Sequence, residues 1–113
     1  MLSNGTEAKV GTLGSKYEFF HEWKRLAEED QGSVALETML RGICKKENFL
    51  DLFENFILYD HSGGHTAKIL ARNHQYLGVN EAMKAYAARK LNDGKLGVFW
   101  HTQGSGKSYS MVF

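Results

Sequence analysis

The chain has 113 residues, of which 42% are hydrophobic and 24% are charged; these values are typical of one small globular domain and exclude a disordered chain. Its apolar runs are far shorter than a bilayer-spanning segment, and the first residues lack the basic and apolar parts of a secretory signal, so we expect no membrane partner. The one cysteine, Cys44, excludes an internal disulfide, and the cytoplasm is therefore the expected compartment.

The charge is distributed unevenly along the chain, although the net charge is only +1. Residues 1–60 carry seven Lys and Arg against eleven Asp and Glu, a net −4, whereas residues 61–113 carry seven against two, a net +5. The second half is therefore the candidate for binding an anion, unless its positive charges only form a solvated basic surface.

Two local signals occur near the start of the chain. Asn4-Gly5 is a hairpin-turn dipeptide, and the short alternating run after it predicts a strand that ends near residue 10. Ser15 and Glu18 have the spacing of a capping box, which predicts a helix over residues 16–29. The apolar residues at helical spacing in this segment are Phe19, Trp23 and Leu26.

Two more helices are predicted before residue 60. Ser33 can cap the first of them, and the second begins near Lys46. Their predicted inward residues are Leu36, Leu40 and Ile43 in the first, and Phe49, Phe53, Phe56 and Ile57 in the second. We interpret these aromatic residues as core and not as a ligand-binding surface.

The stretch "YDHSGGHT" at residues 59–66 is predicted to be a linker, because two adjacent glycines are flanked by Ser and Thr. The sign of the charge changes at the same place. We therefore predict two parts, residues 1–62 and residues 63–113.

A helix, a strand and a glycine-rich loop are predicted in the second part. Tyr76, Val79, Met83 and Tyr86 mark one face of a helix that ends at "NDG", with Arg89 and Lys90 in its last turn. The apolar run "KLGVFWHT" then predicts a buried strand over residues 95–102, and a new helix is predicted from residue 107. The expected fold class is α/β, mostly helical, with a helical connector followed by a helix–strand–loop–helix unit.

The loop "TQGSGKS" has the composition of a phosphate-binding loop after a strand. Gly104 and Gly106 can adopt the backbone conformations that turn amides toward phosphate oxygens. Lys107 can contact the β- and γ-phosphates of ATP, and the Ser108 hydroxyl can bind Mg²⁺. The predicted phosphate-binding residues are Gln103, Gly104, Ser105, Gly106, Lys107 and Ser108. Because His101 stands where the full motif has its first glycine, a glycine turn that binds nothing stays as the alternative.

Upstream of the loop, "ARNHQY" provides Arg72, His74 and Gln75. A glutamine amide can donate and accept one hydrogen bond each, which matches the amino group and ring nitrogen of adenine. The alternative is a polar surface cluster.

A structural metal site is not expected. Asp60, His61, His65 and His74 have ligand side chains, but Gly63-Gly64 interrupts any helix that would place two of the histidines on one face.

The segments "ARNHQYLGVNEAM" and "GKLGVFWHTQGSGKS" resemble the restriction (motor) subunit of type I restriction-modification enzymes. The resemblance extends to "SNGTEAKVGT", "YEFFHEWK" and "FENFILYD". It implies that residues 1–62 are the end of a RecB-like nuclease domain with a helical connector, and that residues 63–113 begin a RecA-like motor domain of helicase superfamily 2. Gln75 with Arg72 would be the adenine-binding Q-motif, residues 103–108 would be helicase motif I, and Lys107 would be its catalytic lysine.

The resemblance also implies ATP and Mg²⁺ as cofactors, and double-stranded DNA, a methyltransferase subunit and a specificity subunit as partners. The nuclease metal site would lie before Met1, and the acidic Mg²⁺ motif and arginine finger after Phe113. We therefore expect a piece of a larger enzyme that is inactive by itself. The alternatives are another superfamily 2 motor, such as a type III restriction subunit or a helicase, and a truncated, non-catalytic binding protein.

Overall fold

The computed structural model describes residues 1–27, 29 and 34–113. Its strands form two antiparallel hairpins, β1 with β2 and β3 with β4, and helices account for most of the regular structure. In chain order the elements are β1 (Leu2–Ser3), β2 (Ala8–Lys9), a 3₁₀ turn (Tyr17–Phe19), α1 (Ala35–Ile43), α2 (Lys46–Asn55), β3 (Ile57–Asp60), β4 (Ala67–Leu70), α3 (Asn73–Ala87) and α4 (Lys107–Ser110). The mixed helix and strand content agrees with the expected class. No described helix is both long and apolar enough to cross a membrane.

The first hairpin has the predicted turn. The Asn4 side-chain oxygen accepts hydrogen bonds from the backbone N–H groups of Thr6 and Glu7, at 3.0 and 2.7 Å. Leu2 pairs with Lys9 across the hairpin. The Asn4-Gly5 signal is therefore confirmed.

The predicted helix over residues 16–29 is wrong where the structure describes that segment. Only Tyr17–Phe19 form a 3₁₀ turn, and the chain then extends so that His21 exchanges two backbone hydrogen bonds with Val10, at 2.8 and 2.9 Å. Ser15 pairs with the Thr12 hydroxyl and does not cap a helix. Pairing with the first hairpin thus overrides the local capping signal. Residue 28 lies outside the described residues.

Helices α1 and α2 match the predicted inward faces only in part: Ile43 and Phe56 are buried as predicted, and Leu36 packs partly buried against the core. In α1, Met39 and Ile43 are buried and Leu40 is 44% exposed. The predicted cap, Ser33, lies outside the described residues. Helix α2 begins at Lys46 as predicted, but it buries Leu52 and leaves Phe49 and Phe53 52% and 69% exposed. Only one face of a ten-residue helix can pack against the core. Here that face carries Leu52, and the next buried residue is Phe56, just after the helix.

Residues 59–66, predicted to be a linker, contain the end of β3 and the turn that joins β3 to β4. Ile57 pairs with Leu70 and Asp60 with Ala67, so the two glycines lie in the turn of a hairpin. Each strand has four residues, which is too short for a periodic signal in the sequence. The division between residues 62 and 63 falls in this turn and stays a prediction.

The core contains residues from both sides of that division. The Tyr76 ring of α3 packs against the rings of Trp23 and Phe56, with centroid separations of 5.5 and 4.8 Å. The Trp23 indole also lies directly against Gly42 of α1, where a side chain would collide with it. Aromatic packing therefore fixes α3 against the first half of the chain.

Helix α3 forms as predicted but ends at Ala87, before "NDG", so Arg89 and Lys90 lie in the turn that follows. Of its predicted face, Tyr76 is buried, whereas Met83 and Tyr86 are 60% and 50% exposed. The strand predicted over residues 95–102 is wrong. No described residue pairs with this segment, and the side chains of Val98 and Trp100 are each 87% exposed. A strand needs a neighbouring strand for its hydrogen bonds and its burial, and the described residues supply none here.

Candidate functional site: the glycine loop and the first turn of α3

The glycine loop has the backbone conformation that its sequence predicts. Gly104 and Gly106 have φ values of +79° and +85°, in the left-handed region that favours glycine. The Ser105 N–H donates to the Thr102 carbonyl at 3.2 Å and closes the turn. Gly106 is followed directly by α4, so a left-handed residue precedes a right-handed one. Such a pair of residues forms a concave arrangement of N–H groups that binds anions.

Gly106 is constrained by its surroundings as well as by φ. A Cβ atom at this position would lie 2.6 Å from Nε2 of Gln75. That distance is shorter than any ordinary contact, and Nε2 is held by its own hydrogen bond. The position therefore requires glycine for two independent reasons.

Lys107 directs its ammonium group back over the loop. Its Nζ atom donates to the carbonyl oxygens of His101 and Thr102, at 2.7 and 3.3 Å. The side chain is exposed, so these hydrogen bonds can exchange for others. Lys107 thus carries a positive charge beside the turn formed by Gly104 and Gly106.

The first turn of α3 holds the loop through two side chains. His74 Nε2 lies 2.9 Å from the Ser105 carbonyl oxygen, and Gln75 Nε2 donates to the Gly106 carbonyl oxygen at 2.9 Å. Gln75 Oε1 also accepts from the Arg72 N–H at 2.8 Å, and the Gln75 side chain is buried. The sequence predicted a role for Gln75 and a role for the loop separately. Their direct contact, and the part played by His74, had no signal in the sequence.

A second contact between α3 and the loop lies one helical turn further on. The Phe99 and His101 rings lie 4.4 Å apart, and the His101 ring meets the His74 ring edge-on at 5.1 Å. A Cβ atom at Gly78 would lie 2.7 Å from the Phe99 ring and 3.1 Å from His101. Gly78 therefore allows residues 99–101 to approach α3 closely.

Arg72 lies beside a basic cavity of about 610 Å³ that also contains His74 and His101. The other titratable residues in its wall are Lys9, His21, Lys24, Arg25 and the acidic Glu22. The Asn73 side chain pairs with both backbone groups of Arg25, at 3.0 and 2.9 Å, and so fixes the basic segment next to α3. Burial lowers the pKa of His21.

The candidate metal ligands of the second hairpin form hydrogen bonds within that hairpin. His61 Nδ1 pairs with the Thr66 hydroxyl and His65 Nδ1 with the Gly63 carbonyl oxygen, each at 3.0 Å. Asp60 accepts from the Ser62 N–H at 2.9 Å, and this hydrogen bond lowers the pKa of Asp60. Within the described ranges, no three His, Cys, Asp or Glu side chains come together in a way that could hold a metal ion.

Comparison with known proteins relates the loop to one family of ATPases. Residues 74–113 match the SWI2/SNF2 ATPase family, and the match begins at His74 and includes the whole glycine loop. No solved structure matches the chain.

The chain is also similar to curated restriction proteins over its whole length. It is 38% identical over 121 aligned residues to the type I restriction enzyme HindI endonuclease subunit of Haemophilus influenzae, which covers 100% of this chain and 12% of the relative. It is 28% identical to the type I restriction enzyme endonuclease subunit named MjaIXP of Methanocaldococcus jannaschii, covering 100% of this chain and 13% of that relative. The chain thus spans about an eighth of the length of these relatives.

Proposed function

Because this chain belongs to the endonuclease (restriction) subunits of type I restriction enzymes, we propose that it contributes the ATP phosphate-binding loop of such a DNA-cleaving, DNA-translocating motor. Residues 103–108 hold the phosphates, and residues 63–113 begin a RecA-like domain after the connector of residues 1–62. Double-stranded DNA and the methyltransferase and specificity subunits are the partners of the whole enzyme, which acts in the cytoplasm.

The observation that supports this proposal most is the position of Lys107 at the turn formed by Gly104 and Gly106. Both glycines have positive φ values, and the lysine ammonium lies within hydrogen-bonding distance of the loop backbone. A polyphosphate can replace the carbonyl oxygens of His101 and Thr102 as the acceptor for this ammonium. The backbone N–H groups at Gly106 and Lys107 then bind the same phosphate.

Gln75 can bind adenine while it holds the loop. A glutamine amide has two N–H groups and two oxygen lone pairs, and one of each is used by Gly106 and Arg72. The remaining N–H and lone pair match the adenine ring nitrogen and amino group, and because Gln75 is buried here, we propose that adenine reaches them after the segment around Arg72 moves. The exposed Arg72 borders the basic cavity beside Gln75, and we propose that Arg72 contacts the same base.

Ser108 is the proposed Mg²⁺ ligand of this chain, because its hydroxyl lies in the first turn of α4, directly after the lysine. Hard divalent cations prefer oxygen ligands, and Mg²⁺ keeps several waters and phosphate oxygens beside one or two protein ligands. Ser108 with the β- and γ-phosphates is consistent with that preference.

The match to the SWI2/SNF2 ATPase family supports a second candidate, another ATP-dependent motor of superfamily 2. That family match is confined to residues 74–113, whereas the similarity to restriction subunits continues through residues 1–73. We therefore place the restriction subunit first.

Titration of the complete restriction subunit proposed to contain this chain, with a fluorescent ATP analogue and Mg²⁺, tests the proposal. The Lys107→Ala variant should lose about tenfold or more in affinity, since it removes the only side-chain cation of the loop and charged hydrogen bonds contribute about 1.5–3 kcal/mol. Lys90→Ala is the matched control, because Lys90 is an exposed lysine outside the loop. Equal affinity of Lys107→Ala and wild type would reject the phosphate-binding assignment.

A further inference from the structure

We propose that His74 is a positioning residue for the phosphate-binding loop: by donating from Nε2 to the Ser105 carbonyl oxygen, it orients the backbone N–H groups that meet the phosphates. The inference rests on the proposed ATP site and assigns a role to a residue that neither the glycine loop nor the adenine assignment uses.

Two consecutive carbonyl groups of the loop are held by two consecutive side chains of α3. His74 holds Ser105 and Gln75 holds Gly106, each at 2.9 Å and each across 31 residues of sequence. The remaining backbone hydrogen bonds of this turn are local, such as Ser105 N–H to Thr102 at 3.2 Å. The α3 contacts therefore connect the loop to the core, because Tyr76, the next residue, is buried among aromatic rings.

Because the peptide bond is planar, the direction in which each of these carbonyl groups is held also sets the direction of the following N–H group. In a trans peptide the C=O of one residue and the N–H of the next point in opposite directions, and the peptide bonds of the described loop residues are trans. When His74 fixes the Ser105 carbonyl toward α3, the Gly106 N–H must point away from α3. When Gln75 fixes the Gly106 carbonyl, the same holds for the Lys107 N–H. These two N–H groups belong to the left-handed and right-handed pair that forms the anion-binding turn.

The geometry also defines the hydrogen position on His74. A carbonyl oxygen can only accept, so Nε2 of His74 carries the proton. The His101 ring packs edge-on against the His74 ring at 5.1 Å and limits its rotation. His74 is thus held in an orientation in which its N–H reaches the loop.

The role is separable from folding. His74 is half-buried and is not part of the aromatic core, whereas its neighbours Gln75 and Tyr76 are buried. Loss of the imidazole should therefore loosen the loop and leave α3 in place. Because the oriented N–H groups meet the phosphates in the ground state as well as in the transition state, the loss should raise KM more than it lowers kcat.

The experiment compares His74→Ala, His74→Gln and the control His65→Ala in the complete restriction subunit proposed to contain this chain. Binding of a fluorescent ATP analogue with Mg²⁺, steady-state ATP hydrolysis and the thermal unfolding midpoint without nucleotide are measured for each. His74→Ala should raise Kd and KM about three- to tenfold, as expected for one lost hydrogen bond, with kcat within about twofold. His74→Gln, whose amide N–H can reach the same carbonyl, should restore most of the affinity. His65, whose ring pairs with the Gly63 carbonyl oxygen within the second hairpin and makes no hydrogen bond to the glycine loop, should have no effect.

Unchanged Kd and KM in His74→Ala would overturn the inference. Equal losses in His74→Ala and His74→Gln together with a lowered unfolding midpoint would also overturn it, because they would show a purely structural role. Lys107→Ala, measured in parallel, separates the two proposals. If it binds ATP like wild type, the proposed ATP site fails; if it loses ATP while His74→Ala does not, only the positioning role fails.

Discussion

The side-chain amide of Gln75 and the backbone carbonyl of Gly106 are 31 residues apart in sequence and are joined by a hydrogen bond of 2.9 Å. The same glutamine accepts from the Arg72 N–H, so one buried amide connects the start of α3 to the glycine loop. A side chain proposed to recognise a base is thus also a support for the loop proposed to bind phosphate. Changes at Gln75 should therefore affect both functions.

Replacing Gln75 with alanine should weaken binding of both ATP and GTP, and ATP more. Loss of the Gly106 contact affects every nucleotide, since it loosens the loop, whereas loss of the adenine contacts affects ATP alone. Each hydrogen bond contributes about 0.5–1.5 kcal/mol, so we expect roughly a fivefold loss for GTP and about ten- to fiftyfold for ATP. Competition titrations with both nucleotides measure the difference. Equal losses would leave Gln75 as a loop support only.

Replacing Gly78 with alanine should displace residues 99–101 and thereby disturb the glycine loop that follows them. The new methyl group would lie 2.7 Å from the Phe99 ring, so residues 99–101 must move away from α3. Overpacking in a well-packed core costs about 1–3 kcal/mol, and the cost here, measured as a lower thermal unfolding midpoint, should be at or below the low end of that range because the Phe99 ring is partly exposed. ATP affinity should fall as the loop is displaced. The double variant Gly78→Ala with Phe99→Leu removes part of the colliding ring and should recover affinity. If the double variant is no better than the single one, this contact does not position the loop.

Tyr76 should make the stability of the fold depend on pH in the alkaline range. Burial, and to a lesser degree the hydrogen bond with Asp51, raises the pKa of Tyr76 to about 12. A free tyrosine titrates near 10, so the folded state keeps the proton longer than the unfolded state does. The stabilisation is complete below pH 10 and is lost as the pH rises from 10 to 12, about 2–3 kcal/mol in all. Urea unfolding across this range should show a steeper loss for wild type than for Tyr76→Phe, and identical slopes would contradict the prediction.

The 113-residue chain alone should release no phosphate from ATP in the presence of Mg²⁺ and duplex DNA. Hydrolysis needs an acidic Mg²⁺ ligand and a positioned water in addition to the loop. The carboxylates after residue 60 are Glu81, which pairs with Lys84, and Asp93, which lies in the turn after α3. A phosphate-release assay with Lys107→Ala as the control for contaminating enzymes tests this. Turnover that disappears in Lys107→Ala would show that the chain contains a complete ATPase site.

The sequence by itself determined the features that depend on a few neighbouring residues. The Asn4-Gly5 turn, the start of α2 at Lys46, the presence of a helix before the glycine loop and the positive φ values of Gly104 and Gly106 are as predicted. Each follows from local backbone preferences or from periodicity along one helix, and these are contained in the residues concerned. The resemblance to restriction subunits rested on the same kind of local information, and it is confirmed by the full-length similarity.

Only the tertiary structure decided which residues meet. Trp23 reaches the core from an extended segment because Val10 pairs with His21, and this pairing cancels the helix that Ser15 and Glu18 predict. The inward face of α2 is set by the position of Phe56 against Tyr76, and the apolar run at 95–102 forms no strand because no described residue pairs with it. The hydrogen bonds from His74 and Gln75 to the loop were likewise decided by the tertiary structure. They depend on the close approach of two segments about thirty residues apart, and no local preference encodes that approach.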